Sequence, residues 1–292
     1  MFIAHSRPTD FAVAVVGTGA ALVTDPAALF NGRPADPTRL RLPSSWTGVI
    51  TEYVDLQFTR ATAFVPGLVG LVGLNLLGLA SSAGLKFSFM GKRVGDAGFT
   101  YSLGGNTALV RSYERGDGSM VALGKTDVGL DPIVGFNMRL WNDQNGVANL
   151  AASGYVDQGD AWASPGLDVY IDKAWEIDEP DDAVPVSMDG QPWPTPFPPG
   201  DTLPVTMPLV DTSDVFRAGS TPNFKQLKRL IGRGNTSIFI PWWKDASGNI
   251  DVELLHSTAA FGTCQLTKIA HTSGAKFGCS AKIKETPALL AQ

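Results

Sequence analysis

The chain has 292 residues, 44% apolar and 17% charged, enough to build one large or two ordinary domains with full cores. Its formal charge of −5 and pI near 5.2 argue against a nucleic-acid partner, because displacing counterions from phosphates takes a basic patch or stripe. Gly (32) and Pro (20) favour many short strands joined by tight turns, so the expected fold class is mainly β.

The opening decapeptide MFIAHSRPTD has no basic region followed by an apolar core, and reads as no signal peptide. Within residues 1–20, Phe11–Val16 (FAVAVV) alternates, and this N-terminal strand is a candidate to join a C-terminal barrel. Further strands are expected at Tyr53–Phe58, Val65–Leu74, Leu85–Phe89, Pro132–Trp141 and Leu167–Ile171. Turn clusters separate them at 91–98, 115–119, 142–146 and 157–165, which suggests a jelly-roll sandwich over residues 21–177. Phe64–Leu85 carries no charge over 22 residues, long enough for a membrane span. Pro66, five glycines and the polar Asn75, Ser81 and Ser82 favour a buried strand plus loop instead.

Residues 178–210 combine the acidic run EIDEPDD with PWPTPFPPG. Proline at this density tends to extended polyproline geometry and marks a linker or arm. In 211–292, Thr221–Gly232 (TPNFKQLKRLIG) reads as a helix, capped by Thr221, opened by Pro222 and stopped by Gly232. Phe224, Leu227, Leu230 and Ile231 form its packing stripe, and Lys225, Lys228 and Arg229 its wet side. Ser237–Trp243, Phe261–Ile269 and Lys276–Glu285 read as strands, the last with Phe277, Cys279, Ala281 and Ile283 pointing inward. A hairpin turning at His271–Ala275 sets Cys264 opposite Ala281, and both cysteines read as free buried thiols.

The order helix, Trp-Trp strand, glycine turn and closing hairpin resembles the final segment of distal tail and tail-tip proteins of long-tailed bacteriophages. A second resemblance covers about residues 20–175: LFNGR at 29–33, a polar loop to Trp46, YVDLQF, VGLVGLNL and LKFSF are similar to a galactose-binding-like jelly roll, with Val54–Leu56 and Gly73–Leu76 at its recurrent steps. The resemblances imply a jelly-roll sandwich followed by a tail-protein-type β segment carrying one short α-helix. They imply a structural protein of the virion, in a tail tip or baseplate and made in the host cytoplasm. It would form a ring with itself, as hexamer or trimer, and contact tube and hub proteins of the tail. In distal tail proteins the helix-bearing domain comes first, whereas here it is last. A split barrel or a different baseplate or collar component is the resulting alternative.

Chemistry is not written locally. No Gly-x-Ser-x-Gly elbow occurs, His5, His256 and His271 stand apart from one another and from Cys264 and Cys279, and GTGA at 17–20 and GKRVG at 91–95 lack the spacing of nucleotide loops. No catalytic, cofactor or metal site is therefore expected. Asp157, Asp160, Asp168 and Asp172 are the carboxylates from which a glycosidase pair would be drawn, with loop solvation as their simpler reading. Interface anchors are expected at Trp242, Trp243, Trp193 and Phe197. The main alternative function is a carbohydrate-binding module gripping host glycans through Trp46, Tyr113, Trp162, Trp193, Trp242 and Trp243, and a lesser one is membrane insertion by Phe64–Leu85.

Overall fold

The computed structural model describes residues 1–5, 9–17, 19–33, 36–43, 53–74, 85–108, 120–126, 131–142, 155–168, 202–216, 224–231, 235–274 and 276–286. The fold is mainly β. In chain order the strands are β1 (Phe2–Ala4), β2 (Ala12–Val16), β3 (Ala21–Leu22), β4 (Thr38–Arg41), β5 (Tyr53–Phe64), β6 (Leu68–Leu74), β7 (Leu85–Arg93), β8 (Tyr101–Ala108) and β9 (Met120–Lys125). They continue with β10 (Ile133–Asn142), β11 (Tyr155–Gln158), β12 (Asp160–Ser164), β13 (Leu167–Asp168) and β14 (Thr202–Asp211). Helices α1 (Thr212–Phe216) and α2 (Phe224–Ile231), β15 (Thr236–Ile240), α3 (Val252–Ser257), β16 (Ala260–Ser273) and β17 (Lys276–Glu285) complete the chain.

These strands form four antiparallel sheets, in the orders β2-β5-β10-β7-β8, β12-β6-β9, β11-β4-β3 and β13-β1-β15-β16-β17-β14. The first three make a sandwich in which β5, β6 and β7, and again β8, β9 and β10, alternate between opposing sheets. Its core is aromatic: Phe58 and Phe136, cross-strand neighbours on β5 and β10, stack at 4.5 Å between centroids, and Phe11 meets Phe136 edge-on at 5.5 Å.

Strand β6 explains the long uncharged run. All seven of its residues are buried, because its sheet is a middle layer with a core on each side. Val69 and Leu71 face the sandwich core, whereas Leu68 and Val72 face a second core shared with Phe2, Ile238, Ile240 and Phe261 of the six-stranded sheet. At Gly73 the backbone takes φ +81° and the register slips between Val72 and Leu74. Leu74 thereby returns to the sandwich side. A strand dry on both faces needs no polar alternation, and so matches a membrane segment in composition. Among the described residues no helix is long and apolar enough to cross a membrane.

The six-stranded sheet buries its other face in a third core, where Met207, Phe239, Cys264, Cys279 and Ile283 pack beneath Val215 of α1 and Ile231 of α2. Toward β17 only that face is dry, so inward Cys279, Ala281 and Ile283 alternate with exposed Lys282 and Lys284.

Several expectations shift. Phe2–Ala4, rather than Phe11–Val16, is the N-terminal strand that joins the C-terminal sheet, between β13 and β15; Ala12–Val16 pairs with β5 in the sandwich. The arm assigned to 178–210 gives up its last part to β14, whose Pro204 and Pro208 fit because β14 is an edge strand with a bulge between Met207 and Val210. The turn cluster at 157–165 is largely β11 and β12, with its polar residues buried by pairing. The β16–β17 ladder continues to Ser273↔Lys276 and sets Cys264 opposite Ile283, two residues from the expected partner and on the same face.

Candidate functional site

Strand β15 stops at Ile240, so the two tryptophans sit just beyond it. Pro241 is buried and cannot donate to a ladder. The chain then folds back through an isolated bridge between Lys244 and Ile250. The Asp245 carboxylate accepts the backbone N–H groups of Ser247 and Asn249, each at 2.8 Å, and these bonds, Asn249 first, hold its pKa below the ordinary carboxylate value. Gly248 supplies the positive φ of the turn. Asp251 then caps α3 by accepting from Glu253 and Leu254 at 2.9 and 3.0 Å.

This frame separates the two indoles. Trp243 is 5% exposed and Trp242 40%. Thr258 holds the Trp242 backbone: the Trp242 N–H donates to the hydroxyl oxygen at 3.4 Å, and the hydroxyl proton is shared between the Trp242 carbonyl at 2.8 Å and the Leu254 carbonyl at 2.7 Å. Trp243 lies in the core between the middle layer and the six-stranded sheet, not under α2. Its carbonyl accepts the Asp251 N–H at 3.0 Å.

Lys125, on β9 of the middle sheet, meets Phe2 of β1 and Trp243 at this point. Its ammonium lies 3.9 Å from the Trp243 ring centroid and 4.2 Å from that of Phe2, and donates to the Thr126 carbonyl at 2.8 Å. Lys244 approaches the same indole at 4.3 Å. A buried cation between two ring faces is held by their quadrupoles and by a carbonyl dipole. Sequence reasoning passed over Lys125, although it continues the inward positions Val121 and Leu123 of β9, where a lysine stands out.

His256, which no sequence motif surrounds, lies on the face of α3 turned to β9. Its Nε2 accepts the Leu123 N–H at 2.9 Å while Nδ1 donates to Val252 O at 2.7 Å, which fixes the neutral tautomer. Burial pushes its pKa down to about 4, against a smaller opposing contribution from the Val252 carbonyl.

The remaining sequence candidates disperse. Asp157 is buried in a two-pronged pair with Arg39 at 2.7 and 2.9 Å. Asp160 is buried and accepts the Gly32 N–H at 3.0 Å, and Asp168 is exposed, 3.9 Å from the N-terminal ammonium. Trp162 is a core residue edge-on to Phe261, which removes it from the sugar-stacking set. Trp46, Tyr113, Asp172, Trp193 and Phe197 lie outside the described residues, as do Thr221, Pro222 and Gly232. On α2, Ile231 is fully buried but Leu230 is 38% exposed, a correction to the packing stripe. Leu230 is one residue, about 100° around the helix, from Ile231, and falls off a seam centred on that residue. Phe224 and Leu227 belong to α2, and their side-chain surroundings are outside what is described.

Both cysteines are free and buried; burial raises the Cys264 thiol to about 12 and the Cys279 thiol in the same direction. Among the described residues no group of three or more His, Cys, Asp or Glu is placed to hold a metal ion. Comparison with protein-family models, curated proteins and solved structures finds no match.

Proposed function

We propose that this chain is a structural subunit of the tail tip or baseplate of a long-tailed bacteriophage, which forms a ring with itself and contacts tube and hub proteins through its outer surface. The sequence resemblances of the C-terminal segment and of the 20–175 region supply the family, and the mainly β build is compatible with both. The observation that carries the assembly reading is Trp242. An indole left 40% exposed on a backbone pinned by Thr258, beside a neighbour buried on Lys125, pays little ordering entropy when a partner covers it. Rigid aromatic anchors of this type dominate interface energetics. The surface around it would serve as one half of a head-to-tail contact, which closes into a ring when the rotation permits.

The test is assembly of the Trp242→Ala variant. It is expected to fold as the parent does and to stay out of rings and particles. Entry of the variant into particles at the parent level would remove Trp242 as the anchor. Binding of the parent, but not the variant, to a glycan array would transfer the same indole to host-sugar recognition.

A further inference from the structure

Among the described residues, strand β2 is bare along one edge. It pairs with β5 from Ala12↔Thr59 to Val16↔Asp55 without a register shift, and it ends its sheet. No described strand lies on its far side, so every second residue turns its N–H and C=O away from β5 with no ladder to receive them. Five of the other seven outer strands carry a device against pairing. β3 and β13 are two residues long, β14 has two prolines and a bulge, and β8 has two register shifts against β7. On β9, Leu123 gives its N–H to His256. β2 has no charge, no proline and no bulge, and Ala12, Ala14 and Val16 are exposed on its outer side. Natural edge strands are usually protected by one of these features, and an unprotected one is a template for strand addition.

We propose that β2 pairs with β2 of a second copy of this chain, antiparallel about a twofold axis at Ala14, so that the two five-stranded sheets become continuous. The strand is self-complementary in that register. Ala14 meets Ala14, Ala12 meets Val16 on the outer side, and Val13 meets Val15 on the core side. Small therefore faces small or large on the exposed face, no like charges oppose, and the flanking Phe11 falls against Gly17. An isologous contact of this kind closes with two copies and uses up the bare edge, leaving β8 with its register shifts at each end of the joined sheet. It uses a different surface from Trp242 and does not depend on the ring.

The experiment is sedimentation equilibrium on Ala14→Lys, Ala14→Glu and their equal mixture. All are made in a Trp242→Ala background, so that the ring contact proposed above is absent. The background protein is expected to show a dimer that grows with concentration. The Lys and Glu variants are each expected to sediment as monomers and, since position 14 is exposed, to melt with the background at concentrations where the background is itself monomeric, and their mixture to recover the dimer as Lys faces Glu. In parallel, Ala14→Cys is expected to form a disulfide-linked dimer under mild oxidation and Ala12→Cys to form none. A background protein that stays monomeric across the range overturns the proposal. So do single variants that associate as strongly as the background, a mixture that does not recover the dimer, or equal cross-linking at positions 12 and 14.

Discussion

The imidazole of His256 stands in for a neighbouring strand: its Nε2 accepts the Leu123 N–H at 2.9 Å on the outer strand of the middle sheet. The bond exists only while the ring is neutral. With the folded-state pKa lowered from 6.5 to about 4, the unfolded chain takes up the proton first as pH falls. The stabilisation is complete above about pH 6.5 and is lost as pH drops toward 4, on the order of 3 kcal/mol at about 1.4 kcal/mol per unit. Urea midpoints at pH 7 and pH 4.5 should differ less in His256→Gln than in the parent. His5, also lowered by burial, adds a slope of the same sign, so the variant flattens the dependence without abolishing it. An unchanged difference would remove His256 as its source.

Gly166 seats the Phe2 ring. Its φ is +64°, and a Cβ built there would stand 1.9 Å from Phe2 Cζ. Gly166→Ala therefore adds expulsion of the Phe2 ring to the backbone strain and should cost about 3 kcal/mol or more. Gly248→Ala, at φ +86° with open space around it, should cost only the strain, about 1 kcal/mol. Equal melting shifts for the two would mean that Phe2 is not held where it is described.

The helix seam has a sharp boundary. Ile231→Asp places a carboxylate in a fully buried position and should cost several kcal/mol, roughly 3 to 5, whereas Leu230→Asp at 38% exposure should cost less than about 1. Chemical denaturation ranks them directly, and the reverse order would rotate α2 on its sheet.

The thiols should be silent in the native state. Cys264, raised to about 12, and Cys279, raised in the same direction, present almost no thiolate near neutral pH. Slow labelling of the folded protein and fast labelling in denaturant are expected. A mass two units low that reductant restores would contradict free thiols.

Elements in which pattern and environment agree were legible in the sequence. Lys276–Glu285 has one dry and one wet face, and its alternation gave both the strand and its bounds. Val65–Leu74 read as a buried run, and β6 in the middle layer accounts for its last seven residues, Leu68–Leu74, while Val65 is exposed. Legibility failed where pairing overrides composition. Asp157, Gln158 and Asp160 look like turn residues until Arg39 pairs with the Asp157 carboxylate and the Gly32 N–H donates to that of Asp160, both from distant parts of the chain. Pro204 and Pro208 look like an arm until an edge position tolerates them. At the site, the unlike fates of Trp242 and Trp243 follow from adjacency near a strand end, since neighbouring side chains point opposite ways. The setting of Trp243 against Lys125, which also covers Phe2, depends on contacts more than 100 residues apart in sequence, which no local spacing encodes.

The central claim rests on one indole, and the mass of assembled protein tests it most directly. Parent, Trp242→Ala and Trp243→Ala proteins should be weighed side by side in solution and scored for entry into particles. The account predicts that the parent forms a closed ring. Trp243→Ala should melt lower, because it empties the stacking site of Lys125 at 3.9 Å. Trp242→Ala should melt with the parent and remain outside the ring. A parent that sediments without forming a ring, with both variants still entering particles, would contradict it.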